Sequence, residues 1–177
     1  MNLKSAKYNF LFPKYKNDIY NYSLYMIGNR FDAEDVVQNV LIKIWENIDK
    51  FNILAAKGWI IKTTHNLCID ELRKRKRSFK NEIAIDDNFD EMYNEQCKSL
   101  IDSEINDKIL NEQIKMKINL LPANLKSVFV LYEMQGFKYK EISKALDIPL
   151  NSVKVYLLRA RKKLQEELKN YELQEVI

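Results

Sequence analysis

Three glycines and three prolines are all that this chain of 177 residues contains. Folds with many tight turns, such as β-sandwiches, usually need more of both, because glycine and proline supply the backbone angles that turns require. The glycines, Gly28, Gly58 and Gly136, also stand far apart, whereas the phosphate-binding loops of Rossmann and P-loop proteins need clustered glycines. The scarcity of turn residues therefore predicts an all-α fold and excludes both nucleotide-binding motifs.

Apolar residues that recur every three or four positions predict three helices in the first half of the chain. The first is expected over residues 14–29 and the second over residues 32–51, with Asp32 as its N-cap. The third is expected over residues 58–72 and continues into a run of basic residues.

The same spacing predicts three helices nearer the C-terminus. They are expected over residues 122–136, over residues 139–147 and, after a tight turn, from a cap at Asn151 or Ser152 onward. Two helices joined by a tight turn, the second rich in cations, are typical of a helix-turn-helix that reads DNA. The pattern leaves an ordinary αα-hairpin open as the alternative.

Charge is segregated along the chain. Residues 78–107 hold nine acids against two lysines, a net charge of −7 in a chain whose total is +4. Cations concentrate in the unbroken run of residues 73–77 and again over residues 154–163. Two solvated helix faces would explain such runs, but their separation by an acidic stretch favours two surfaces that bind a polyanion.

This charge pattern also predicts the domain organisation. Two small helical domains, residues 1–77 and 114–177, are expected on either side of an acidic linker at residues 78–113.

The sequence predicts no metal site, no cofactor and no enzyme. His65 is the single histidine, the two cysteines lie 29 positions apart, and no nucleophile motif is present. Unpaired cysteines suit a reducing cytosol, which predicts a cytoplasmic protein. Because no stretch of 18 apolar residues occurs, no membrane insertion is expected.

Two stretches of the chain resemble regions of bacterial sigma factors. Region 2 is resembled by Ala33-Glu34-Asp35-Val36-Val37-Gln38, Ile44-Trp45, Trp59-Ile60, Asn66, Ile69-Asp70 and Leu72-Arg73. Region 4 is resembled by Leu121-Pro122, Leu125, Val128-Phe129, Gly136, Tyr139, Glu141-Ile142, Ser152-Val153-Lys154 and Arg159-Ala160-Arg161. With no region 3 domain between them, this layout resembles the extracytoplasmic-function subgroup of the sigma-70 family.

The resemblance implies a role for each surface. Sigma factors are not enzymes; they bind core RNA polymerase, direct it to promoter DNA and help to open the duplex. The helix after Asp32 resembles the segment that docks on the polymerase clamp, which implies polymerase contacts for Gln38, Asn39 and Trp45. Core packing remains open as the alternative for Trp45.

The resemblance also implies two sets of DNA contacts. Asn66 matches the position of a base-contacting residue for the −10 element, and phosphate contacts are implied for Arg73, Lys74, Arg75, Lys76 and Arg77. For the −35 element the implied contacts are Ser152, Lys154, Arg159, Lys162 and Lys163.

Some positions depart from the family pattern. Ala56 stands where members often carry an aromatic residue, in a loop that helps to select the −10 base, so the preferred base is not predicted. Val155, Tyr156 and Leu158 lie where polar or basic residues are common. The sequence leaves open whether the linker follows the polymerase's RNA path and whether an anti-sigma protein binds. The competing interpretation is a stand-alone helix-turn-helix regulator, which would explain residues 114–168 alone.

Overall fold

The computed structural model describes residues 3–50, 52, 55–82 and 114–174. These residues are mostly helical, and none of them lies in a β-strand. The all-α prediction is therefore confirmed. Most of the predicted linker, residues 83–113, lies outside the described residues.

Three long helices form the first half of the molecule. They are α1 (Leu3–Ile27), α2 (Arg30–Asn47) and α3 (Ala56–Glu82). Each helix contributes fully buried apolar side chains to one shared core: Leu11, Ile19, Tyr22 and Met26 from α1, Val40 and Ile44 from α2, and Ile60, Ile61 and Cys68 from α3. Burial of this apolar surface holds the three helices together.

Helix α1 begins eleven residues before the predicted start at residue 14 and includes Pro13. The prediction was wrong because proline usually ends or kinks a helix by removing one backbone hydrogen bond. Here Pro13 and Asn9, the residue one turn earlier, are exposed, so water can satisfy the carbonyl group that proline leaves without a donor. Buried Leu11 and the contact of Tyr8 with Trp45 hold the early turns in place.

The N-cap of α2 is Asn29, not Asp32. The Asn29 side chain accepts a hydrogen bond of 3.1 Å from the backbone N–H of Asp32. Gly28, with a φ of 72°, turns the chain between α1 and α2 through a left-handed conformation that side chains disfavour. Asp32 therefore lies in the first turn of α2, where an acid also suits the helix dipole, and its carboxylate is available to α3.

The second half of the chain forms a smaller group of helices. Residues 114–119 are helical, followed by α4 (Ala123–Phe129), a π-helical turn (Val130–Met134), α5 (Tyr139–Leu146) and α6 (Leu150–Gln174). Asp147, at a φ of 57°, ends α5 in a left-handed turn. Because α6 begins at Leu150, the predicted cap residues Asn151 and Ser152 lie inside its first turn.

The two groups of helices contact each other where α3 begins. The Lys57 ammonium lies 3.3 Å from Oε1 of Glu141 on α5 and 3.9 Å from the ring centre of Phe137. The Lys62 ammonium lies 3.5 Å from Oδ2 of Asp147. On the α1 side, the Gln135 amide donates a 2.7 Å hydrogen bond to the carbonyl of Asp18. We call this packing the closed arrangement.

Across the part of the chain that the structure covers, no helix is both long enough and apolar enough to cross a membrane.

Candidate nucleic-acid and protein interfaces

One face of α2 points to solvent and carries apolar side chains. Gln38 is exposed, and the large side chains of Phe31, Ile42 and Trp45 are exposed beside it at helical spacing. Phe31 and Ile42 had not been assigned a role from the sequence; the signal was that neither fits the buried stripe of α2. A group of exposed apolar side chains bordered by polar residues is typical of a protein-docking surface.

Trp45 is neither fully packed nor fully free. It is 42% exposed, while Tyr8 meets its ring edge-on at a centroid distance of 5.4 Å and the Lys4 ammonium lies 4.9 Å from the ring centre. The start of α1 thus orients the indole without covering it. Asn39 lies to one side of this face, in a cleft of 340 Å³ that it shares with acidic and basic residues of α2 and α3.

The middle of α3 contains Asn66, which points to solvent as expected for a base contact. Its neighbours point inward: Thr64 is buried and donates a 2.8 Å hydrogen bond to the Ile60 carbonyl. The Nδ1 atom of His65 lies 2.8 Å from the hydroxyl of Tyr22 on α1. The single histidine therefore helps to dock α3 on α1 and does not share the exposed surface that carries Asn66.

Burial lowers the pKa of His65 to about 4. Burial also raises the pKa of Tyr22 well above its usual value, so at neutral pH both groups are uncharged. His65 therefore adds no positive charge to the predicted −10 surface, whose positive charge comes from the arginines and lysines further along α3.

We expect the stability of the protein to fall as the pH drops below 6.5, because the unfolded state then protonates His65 and the folded state does not. This contribution is complete above pH 6.5 and is lost progressively down to about pH 4. Between pH 6.5 and 5.0 the free energy of unfolding should fall by about 1.6 kcal/mol through this residue. Urea unfolding of the wild type and of His65→Gln at both pH values isolates the contribution of His65 to the pH dependence. An equal pH dependence in the two proteins would contradict it.

The five cations of residues 73–77 divide into two groups. The Arg75 guanidinium pairs with the carboxylate of Asp32, donates a 3.0 Å hydrogen bond to the Ile27 carbonyl and lies 3.7 Å from Glu71. It fastens α3 to the junction of α1 and α2. Arg73, Lys74, Lys76 and Arg77 are exposed.

Helix α6 is divided lengthwise into a buried and an exposed face. Val153, Leu157, Ala160 and Leu164 are buried. Four of the predicted −35 contacts are exposed, namely Lys154, Arg159, Lys162 and Lys163, and Ser152 is half-buried in the first turn. Arg161, which was not among those contacts, donates a 2.8 Å hydrogen bond to Glu133 and lies over the ring of Tyr132.

The closed arrangement brings parts of the two predicted DNA surfaces together. A cleft of 480 Å³ lies between the two groups of helices, with an apolar floor that includes Met26 and Leu121. Arg73 and Lys76 of the predicted −10 surface line this cleft together with Lys163 of the predicted −35 surface. The two surfaces therefore converge in this arrangement.

Among the described side chains, no group of three or more His, Cys, Asp and Glu is placed to hold a metal ion. Cys68 is buried, and burial raises the pKa of its thiol to about 12. It is therefore protonated and acts as part of the core.

Family models match both halves of the chain. The model of sigma-70 region 2 matches residues 11–78, and the model of sigma-70 region 4 matches residues 111–164. The fold and its exposed surfaces thus define a protein with two sigma-type regions.

Known proteins resemble the chain over most of its length. The extracytoplasmic-function sigma factor SigW of Bacillus subtilis is 31% identical over 161 residues, which cover 88% of this chain and 86% of SigW. SigM of the same organism is 26% identical, with 88% and 91% covered. The sigma factor RpoE from Bartonella quintana, solved in complex with the anti-sigma factor NepR, has the same fold, with a TM-score of 0.73, 23% identity and coverage of 91% and 96%.

The chain belongs to the extracytoplasmic-function subfamily of the sigma-70 factors. It is a sigma factor, which directs RNA polymerase to promoters. A stand-alone helix-turn-helix regulator is not favoured, because the region 2 match accounts for the first half of the chain that such a regulator leaves unexplained.

Proposed function

We propose that three surfaces of this sigma factor have separate binding roles in transcription initiation. The exposed face of α2 around Gln38 and Trp45 binds core polymerase, with Phe31 and Ile42 adding apolar area. Asn39, at the edge toward α3, contacts the same partner. The middle of α3 holds the −10 element, and α6 holds the −35 element.

On α3, Asn66 contacts a base because its exposed amide can donate to and accept from a base edge. Arg73, Lys74, Lys76 and Arg77 follow the phosphates and set the register of the DNA. Arg75 was also predicted to contact phosphate, but its present partners suit a structural role better.

On α6, the exposed Lys154, Arg159, Lys162 and Lys163 and the half-buried Ser152 form the −35 surface. The observation that carries the proposal is this pairing in one chain: a cationic exposed end of α3 and a cationic exposed face of α6, each within its own sigma-region match.

The proposal extends to partners and place. The protein acts by binding, with no catalysis of its own, in the cytoplasm with polymerase. An anti-sigma protein is a further proposed partner, since the sigma factor RpoE was solved in complex with an anti-sigma factor.

The test is transcription by the purified protein reconstituted with core polymerase on a randomised promoter library, followed by sequencing of the transcripts. Recovery of one motif pair at the −10 and −35 positions supports the proposal. Transcription that does not depend on the added protein would refute it.

We expect Lys74→Ala and Arg77→Ala each to weaken promoter binding by the polymerase complex to a similar extent on all promoters. Removal of one phosphate contact should lower the slope of log affinity against log salt by about one. Lys16→Ala, which removes an exposed lysine of α1, is the matched control and should leave the slope unchanged. A loss that depends on the −10 base sequence would instead assign these residues to base reading.

A further inference from the structure

The centre of the exposed face of α6 is apolar. Val155 is 41% exposed and Leu158 is 67% exposed, although both are large hydrophobic side chains. At 3.6 residues per turn, Val155 lies opposite the buried side chains Val153, Leu157 and Ala160, and Leu158 lies on the same exposed side as Val155. Nothing in the fold of the described chain requires an apolar residue there.

Polar and charged residues surround this pair. Asn151 precedes it on the same face, Lys154 and Arg159 lie on its two sides, and Lys162 follows it. When a helix enters the major groove, its flanks approach the phosphate walls and its centre approaches the base edges. Lys154 and Arg159 are therefore placed for the backbone, and the apolar pair is placed for the bases.

The major groove offers these side chains one kind of apolar partner. Its base edges present hydrogen-bond donors, acceptors and the C5-methyl group of thymine. Valine and leucine cannot use the donors or acceptors, and they gain free energy only where apolar surface leaves water.

We infer that Val155 and Leu158 read thymine methyl groups in the −35 element, so that the preferred element contains thymine on one strand or the other where these residues meet it. Asn151 suits the same kind of sequence, since an amide can contact adenine through two hydrogen bonds. This inference rests on the proposed binding of the −35 element by α6 and adds the base that the element must contain.

The test compares thymine with deoxyuridine, which differs only by the missing methyl group. The −35 thymines of the promoter selected from the library are replaced by deoxyuridine on both strands, and transcript yield is measured at limiting polymerase complex. We expect the yield to fall about fourfold for each methyl group lost from an apolar contact. Deoxyuridine placed between the two promoter elements is the template control and should change nothing.

The variants Val155→Ser and Leu158→Ser should make the yield insensitive to the same replacement. Both positions are exposed, so the fold should tolerate serine. Met134→Ser removes an apolar side chain that is 47% exposed outside α6, and it should keep the full methyl dependence.

Three results would overturn the inference: a selected −35 element without thymine, a wild-type yield that is unchanged by deoxyuridine, or serine variants that keep the methyl dependence. Each can occur while the protein still directs transcription from a −35 element, so each leaves the proposed function standing. If the library yields no −35 motif at all, the binding of this element by α6 fails, and the inference fails with it.

Discussion

The isolated protein is expected to bind promoter DNA at least a hundredfold more weakly than the same protein bound to core polymerase. The −10 and −35 elements lie about 25 base pairs apart, which is roughly 85 Å along B-form DNA. In the closed arrangement, Arg73, Lys76 and Lys163 line one cleft of 480 Å³. The free protein can therefore engage only one element at a time, unless its two halves separate.

We expect polymerase to remove this restriction by holding the two regions apart at the spacing of the promoter. The second contact then becomes intramolecular, and such coupling raises affinity by about 10²–10⁴ without any new contact. Fluorescence anisotropy with a labelled promoter fragment, with and without core polymerase, measures the difference. DNA with both elements scrambled is the control. A tight, sequence-specific complex of the protein alone would favour the stand-alone regulator.

Arg75→Ala is expected to lower the free energy of unfolding by about 1.5–3 kcal/mol, the usual range for losing hydrogen bonds to a charged group. The substitution leaves the Ile27 carbonyl and the Asp32 carboxylate without the guanidinium that joins them. It should also reduce transcription indirectly, by loosening α3 against α1 and α2.

Arg73→Ala is the matched control, two positions away in the same run of cations. Its guanidinium is largely exposed and lies 3.7 Å from Asp70 in a surface pair, a kind of pair worth about 0–1 kcal/mol. Urea unfolding should therefore separate the two variants clearly. Equal loss of stability in both variants would show that the contacts of Arg75 stabilise the fold no more than the surface pair of Arg73.

Sequence patterns predicted the helices well where a helix buries one continuous stripe. Residues 139–147 were expected to be helical, and α5 spans Tyr139–Leu146. The expected helix through Leu125 and Val128 is present as α4 and the π-helical turn. In both places the apolar spacing and the turn residues on either side agree, so local and tertiary preferences coincide.

The predictions were wrong where a distant contact overrides a local signal. Asn29 and Asp32 are both good caps by residue type. The conformation of Gly28 favours Asn29 as the N-cap. Arg75, which lies 43 positions beyond Asp32 in the chain, binds the Asp32 carboxylate. The start of α1 before Pro13 similarly depends on contacts with α2 that no local pattern contains.

The candidate contacts were harder to predict than the helices. Within the run of residues 73–77 the residue type cannot show which cation turns inward, but helical spacing could have done so. Arg75 lies three positions after Leu72 and seven after Cys68, on the packed side of α3. His65 gave no such signal, because its Tyr22 partner lies 43 positions earlier in another helix.

The lengthwise division of α6 has a consequence for how such a factor changes its targets. Its fold depends on the side that carries Val153, Leu157, Ala160 and Leu164. Substitutions on the opposite side usually change stability by no more than about 0.5 kcal/mol. On the proposed binding of the −35 element by α6, a lineage could therefore exchange one set of controlled genes for another through a few replacements at those outward positions, without first acquiring stabilising mutations elsewhere. A designer who wants the factor to bind other promoters can use the same tolerance to substitution. The outward positions of α6 are the place to begin.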